Sequence, residues 1–155
     1  MYTDFGSKHG NFMGKDPSYF PDVKRLAVME YKYSTNFNGI HMIGFSDSQA
    51  KNNKAIDEYK TAVRPWTQKR VDEHKQLTNY CLQNFIKNKI KPEDVKLRLM
   101  WWATEEKGDF TVGLIDPKAP PTIFHTKRTM GDILQYGVYI NETIIKMDKY
   151  IKEHE

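Results

Sequence analysis

The chain has 155 residues, 39% of them hydrophobic and 28% charged, which is one domain with enough apolar material for a core of its own. Its formal net charge of +4 and its sequence pI near 9.0 suit an anionic partner, of which nucleic acid is the commonest. The single cysteine, Cys81, excludes an intramolecular disulfide and a cysteine-ligated iron–sulfur cluster, and no apolar run is long enough to span a membrane.

In chain order, Leu26 to Tyr33 is apolar-rich (Leu26, Ala27, Val28, Met29) and reads as a first strand. Gly39 to Gln49 is a second extended segment, carrying Ile40, Met42, Ile43 and Phe45. Lys51-Asn52-Asn53-Lys54 is a turn, because Asn tolerates the left-handed backbone of tight hairpins, and Lys54 to Thr61 returns as a third strand. That hairpin brings Asp47 to the level of Glu58. Side chains alternate along a strand, so Glu58 and Lys60 point to one side and Tyr59 to the other. Two carboxylates and an ammonium then share a small surface. Hard oxygen ligands suit Mg²⁺ or Mn²⁺, and such a cation can activate water and neutralise charge developing on a phosphate. The lysine can orient the attacking water or balance negative charge. Upstream, Pro21-Asp22 and Glu30-Tyr31-Lys32 offer a second acid–acid–lysine set. Only seven residues separate Asp22 from Glu30, too few for Asp22 to reach a paired neighbouring strand, so Glu30 remains a minor candidate for the edge of the site.

Pro65-Trp66-Thr67 opens a helix, with Pro at its start and Thr as cap. Val71, Leu77, Tyr80, Cys81, Phe85 and Ile86 form its apolar stripe, and Asn88 and Pro92 end it. Cys81 lies on the apolar side, buried and inert. Gln76 and Tyr80 are four apart and share a face, and Lys69, Arg70 and Lys75 make the densest basic cluster of the chain, suited to backbone phosphates. Val95 to Thr104 is a strand with Leu97, Leu99 and Trp101 on one face. Glu105 to Gly108 turns, Asp109 to Ile115 returns, Thr122 to Thr126 is a short strand, and Met130 to about His154 is a long amphipathic helix. Its Ile133, Leu134, Val138, Ile140, Ile144, Ile145 and Tyr150 are available for packing. Trp101 and Trp102 face opposite ways, one toward the core and the other at a surface where it either sits on a strand edge or stacks on a base. The sum is one α/β (α+β mixed) domain over residues 1–155, a central mixed sheet of about five or six strands flanked by helices.

Taken singly, E-x-K on a half-exposed strand is a solvated ion pair, and Q-x-x-x-Y a helix surface with a core tyrosine. Their order and spacing say more. Gly44 and Asp47, then Glu58-Tyr59-Lys60-Thr61, then Gln76 and Tyr80 resemble the RecB-type nuclease domain of the PD-(D/E)XK superfamily, in the compact form found in phage and recombination proteins. The resemblance runs from about Gly39 through the C-terminal helix and implies a restriction-endonuclease-like core. It implies metal binding by Asp47, Glu58 and the backbone carbonyl of Tyr59, with Lys60 catalytic and Gln76 and Tyr80 as supporting catalytic or DNA-orienting residues. Family members carry an upstream G-x-x-H whose histidine is an extra metal ligand, and Gly6-Ser7-Lys8-His9 fits those letters. Either His9 is that ligand, or it belongs to a lead in which Gly6, Gly10 and Gly14 make helix costly, by about 1 kcal/mol each.

Two functions follow as expectations. The first is a Mg²⁺- or Mn²⁺-dependent deoxyribonuclease of low sequence specificity, exonuclease or structure-dependent endonuclease, serving phage or bacterial recombination, repair or genome processing. DNA is then its partner, with a helicase or recombination protein as a possible companion. The second is a weak or inactive nuclease-fold module that binds DNA or a partner protein. The opening Met1-Tyr2-Thr3-Asp4 lacks the parts of a signal peptide, so a cytoplasmic setting, bacterial or phage-in-host, is expected.

Overall fold

The computed structural model describes residues 26–108 and 112–155. Among them, β1 (Leu26–Phe37), β2 (Ile40–Ala50), β3 (Ala55–Ala62), β4 (Lys96–Glu106), β5 (Val112–Leu114) and β6 (Thr122–Thr126) form one mixed sheet. Helices α1 (Gln68–Asp72) and α2 (Lys75–Asn88) lie between β3 and β4, and α3 (Met130–His154) closes the chain. The sheet order is β1-β2-β3-β4-β5, with β6 also paired to β4. Only β3 and β4 run parallel. Parallel neighbours need a crossover, and α1 and α2 supply it, which lays α2 across the sheet face that holds Ile56, Leu97 and Leu99. This is the mixed α/β architecture expected from the sequence.

Turn chemistry sets the two hairpins. Asn38 and Gly39 both have positive φ, 49° and 80°, and Phe37 pairs with Ile40 around them. This is the Asn-Gly two-residue hairpin loop. It carries β1 four residues past the end expected at Tyr33. In the second turn Asn53 has φ 61°, its N–H donates to the Ala50 carbonyl at 2.9 Å, and the Lys54 N–H donates to Asn52 Oδ1 at 3.0 Å.

The helix expected from Pro65 to Asn88 is two helices. Thr67 does cap the first, its hydroxyl accepting from the Arg70 N–H at 3.2 Å. The chain then leaves helical geometry at Glu73 and His74, and α2 starts at Lys75. Breaking a helix frees carbonyls, and Arg128 collects them. Its guanidinium, 3% exposed, donates to the carbonyls of Val71 (3.0 Å) and His74 (3.2 Å) and to the hydroxyls of Thr78 (2.7 Å) and Thr126 (2.8 Å). The partner that makes the break affordable lies more than fifty residues downstream, where helical periodicity cannot show it.

Val71, Leu77, Tyr80, Cys81, Leu97, Leu99 and Ile133 fill the core. Burial pushes the Cys81 thiol up to about 12, so it is inert as expected. On α3, Gly137 lets the Phe37 ring approach to where a Cβ would stand 2.6 Å from it. The packing of α3 is confined to a narrow stripe through Ile133 and Gly137; Leu134, Val138, Ile145 and Tyr150, which the periodicity offered to the core, are exposed, as are Met147 and Ile151. Trp102 is 3% exposed, and Trp101 is half-buried with its indole N–H on the Ala62 carbonyl at 3.0 Å. Strand β4 lies between β3 and β6 rather than at an edge, so neither tryptophan is placed as a surface platform for a base. No helix among the described residues is long and apolar enough to cross a membrane.

Replacing Arg128 by Ala removes its buried hydrogen bonds to Val71, His74, Thr78 and Thr126 at the α1–α2 break, leaving the two carbonyls with their local donors only. Urea unfolding should show a loss of about 2–3 kcal/mol, the scale of leaving buried polar groups unpaired. Stability equal to that of the wild type would mean the break holds itself.

Candidate functional site

Strand β2 joins β3 through only two residue pairs, Ser48 with Asp57 and Gln49 with Ile56. One step further this register sets Asp47 opposite Glu58, as the hairpin argument requires. Asp47 Oδ2 accepts the Tyr59 N–H at 2.6 Å. Glu58, 2% exposed, takes Lys60 Nζ on Oε1 at 2.5 Å. Lys60 also donates to Gln76 Oε1 at 2.8 Å. Gln76 Nε2 donates to the Tyr80 hydroxyl at 2.6 Å, and Tyr80 donates in turn to the Phe45 carbonyl at 2.6 Å. Because Tyr80 spends its proton on Phe45, it must accept from the Gln76 amide, which leaves the amide oxygen for Lys60. The structure thus brings together five of the sequence-selected residues, Asp47, Glu58, Lys60, Gln76 and Tyr80, and ties β2, β3 and α2 into one loop of hydrogen bonds.

The electrostatics are those of an underfilled site. Burial first, and the Asp47 charge second, push the Glu58 carboxyl up to about 7 against the pull of Lys60. Burial also raises Asp47, opposed by the Tyr59 N–H and Lys60. Glu58 Oε2 is buried and has no hydrogen-bond partner. The adjacent acid shows the contrast: Asp57, on the opposite face, is held by a two-pronged Arg98 at 2.7 and 2.6 Å. Tyr59 turns to that face as well, its ring edge-on to Trp102 at 6.0 Å. One carboxylate is thus matched inside the protein and the next one along is not. Among the described residues, no three His, Cys, Asp or Glu side chains are gathered closely enough to cage a metal ion. Even so, an orphaned, almost fully buried carboxylate oxygen beside a second carboxylate fits a hard divalent cation.

The other selected residues are spread out. Lys69 is exposed on α1, and the Arg70 guanidinium lies 3.9 Å from the centre of the Trp66 ring. Lys75 sits 3.9 Å over the Tyr139 ring and so is engaged with α3. His9, with its Gly6-to-His9 motif, lies outside the described residues. A Cβ at Gly44 would come 2.8 Å from Gln83 Nε2, so a larger residue there would push the Gln83 amide aside.

Sequence reasoning missed a buried polar layer under α2. Tyr33, stacked on Tyr80 at 6.0 Å, bonds Gln49, and Gln49 bonds Asn53 at 2.9 Å; Thr35 donates to Gln83 at 3.1 Å. Gln76, Asn79 and Gln83 recur at helical spacing, and that polar stripe was the available signal. His74 was missed too. Burial, then Lys60, Arg128 and Arg70, lower it to about 4, and its ring lies 5.0 Å from that of Trp66. No family model matches this chain, and no curated protein matches it significantly.

The raised Glu58 makes a pH prediction. Unfolded, this carboxyl titrates near 4.5; folded, near 7. Between those values the folded state binds more protons, so stability falls as pH rises, by at most about 1.4 kcal/mol per pH unit. Asp47 adds to that slope and His74 opposes it below its ordinary value of 6.5. The difference between metal-free wild type and Glu58→Gln isolates the Glu58 contribution. Unfolding free energies should converge toward low pH and diverge toward pH 7. A constant difference across that range would contradict the raised carboxyl.

Proposed function

We propose that the chain is a metal-dependent DNA nuclease that hydrolyses phosphodiester bonds with little sequence preference, in phage or bacterial DNA recombination, repair or genome processing. The observation that carries this reading is the Asp47–Glu58 pair with one buried carboxylate oxygen unmatched and Lys60 held beside it. Asp47 and Glu58 would hold Mg²⁺ or Mn²⁺, with the Tyr59 carbonyl as the further ligand that the RecB-type resemblance implies. The bound ion supplies Lewis acidity and a water activated for attack on phosphorus.

The chain's own groups do the rest. Lys60 is fixed between Glu58 Oε1 and Gln76 Oε1, so its positive charge is preorganised beside the carboxylates, where charge on a phosphate would develop. The Gln76–Tyr80–Phe45 chain of hydrogen bonds keeps that ammonium from turning away. Lys69 and Arg70 on α1 offer charge for backbone phosphates, and no base-reading element accompanies them among the described residues.

Among linear, circular and single-stranded DNA incubated with Mg²⁺ or Mn²⁺, at least one should be degraded, loss of linear but not circular DNA marking an exonuclease, and the degradation should stop with chelator or with Glu58→Gln. Lys60→Ala should keep the fold and DNA binding and lose cleavage by on the order of a hundredfold or more, as for other preorganised charges. Near-wild-type cleavage would make Lys60 a surface lysine. DNA binding should weaken steeply with salt, because each phosphate contact releases a counterion. Cutting at one defined sequence at every salt concentration would instead indicate a restriction-like enzyme.

A further inference from the structure

Met29 pairs with Ser48, and Tyr31 with Ser46, so Glu30 stands opposite Asp47. One step past the last β2–β3 pair, Asp47 in turn falls level with Glu58. Three acids on three neighbouring strands therefore fall in one row across the sheet. At this level the strands switch faces. Gly44 faces α2, since its missing Cβ points at Gln83, whereas Gln49, five residues on, also reaches α2 through Asn84. Simple alternation would put positions 44 and 49 on opposite faces.

Strand β1 makes its adjustment at Glu30, whose φ is +51°. A left-handed residue within a strand is strained for any L side chain, and Gly or Asn fills such a position at lower cost. Here it is a long carboxylate, exposed and free to change rotamer. Its charge also reaches the site: burial is the main cause that raises Asp47, and Glu30 adds to it. The row ends on Glu58 Oε2, buried and without a partner.

Glu30 is not gathered with Asp47 and Glu58 in the metal-free protein; we propose that it swings onto the open side of an ion held by that pair, as the third carboxylate of the cation site. This rests on the reading of that pair as a divalent-cation site. Glu30 contributes charge to the binding of the ion, whereas Glu58 and Lys60 position the groups that react. Its loss therefore lowers metal affinity.

The test is calorimetric titration of Mn²⁺ into the full chain without DNA. Glu30→Gln should bind Mn²⁺ on the order of tenfold more weakly than wild type, the scale on which ligand charge and supporting groups set affinity. Glu30→Gly separates ligation from strain. It should melt no lower than wild type in the metal-free state, because positive φ costs glycine little, and should show the same loss of affinity. Wild-type affinity in both Glu30 variants, with binding lost in Asp47→Ala, overturns the role of Glu30 and leaves the two-acid site standing. No Mn²⁺ binding by the wild type overturns both.

Discussion

Glu58 is 2% exposed, and one of its two oxygens meets no donor inside the protein. A buried carboxylate without full compensation is costly, so the fold must either protonate it or supply a cation from outside. Lys60 supplies half an answer, through Oε1. Asp47 works against it, since a second carboxylate at the same level raises the cost of ionising both. The rest of the region can be read as scaffolding for this imbalance. The two-pair junction of β2 and β3 sets the acids opposite each other, and α2 closes over them. Arg128, by gathering the carbonyls at the α1–α2 break, lets α2 begin where Gln76 meets Lys60.

On the proposed reading, this arrangement trades stability for function. Asp57, one residue away, has an arginine clamped on it from β4 and forms a closed internal pair. The same solution at Glu58 would have produced a tighter metal-free protein and no place for a cation. Perturbed carboxylates beside a fixed lysine mark functional sites because structural pairs have no reason to stay unmatched. The buried polar layer of Tyr33, Gln49, Gln83 and Asn84 continues from the site beneath α2 and ties the helix to β1 and β2 through Thr35–Gln83 and Gln49–Asn84.

Much of this was readable from residue order. Period-two alternation located β3 and β4 to within a residue or two, Thr122–Thr126 and Met130–His154 match their expected bounds, and the Asn52-Asn53 turn sets the register that joins Asp47 to Glu58. Gln76 and Tyr80 were legible because four-residue spacing puts them on one helix face. What escaped depended on contacts between distant residues. The helix break at Glu73–His74 is bridged by Arg128, and the exposed apolar residues of α3, Leu134 and Val138 among them, share the periodicity of those that pack. Glu30 was set aside because its own E-x-K lacks a properly spaced acid before it. Its place in the row becomes visible only when β1 is paired with β2. The Asn38-Gly39 turn was the one local signal that would have exposed that pairing.

The central claim is that Asp47 and Glu58 share one divalent cation. Anomalous diffraction from crystals equilibrated with Mn²⁺ tests it most directly. The account predicts one strong peak about 2.2 Å from an oxygen of each carboxylate, oxygen-ligand range for such ions, taking up the Glu58 oxygen that is otherwise unmatched. A peak elsewhere on the protein, with Glu58 Oε2 still unmatched, would contradict it.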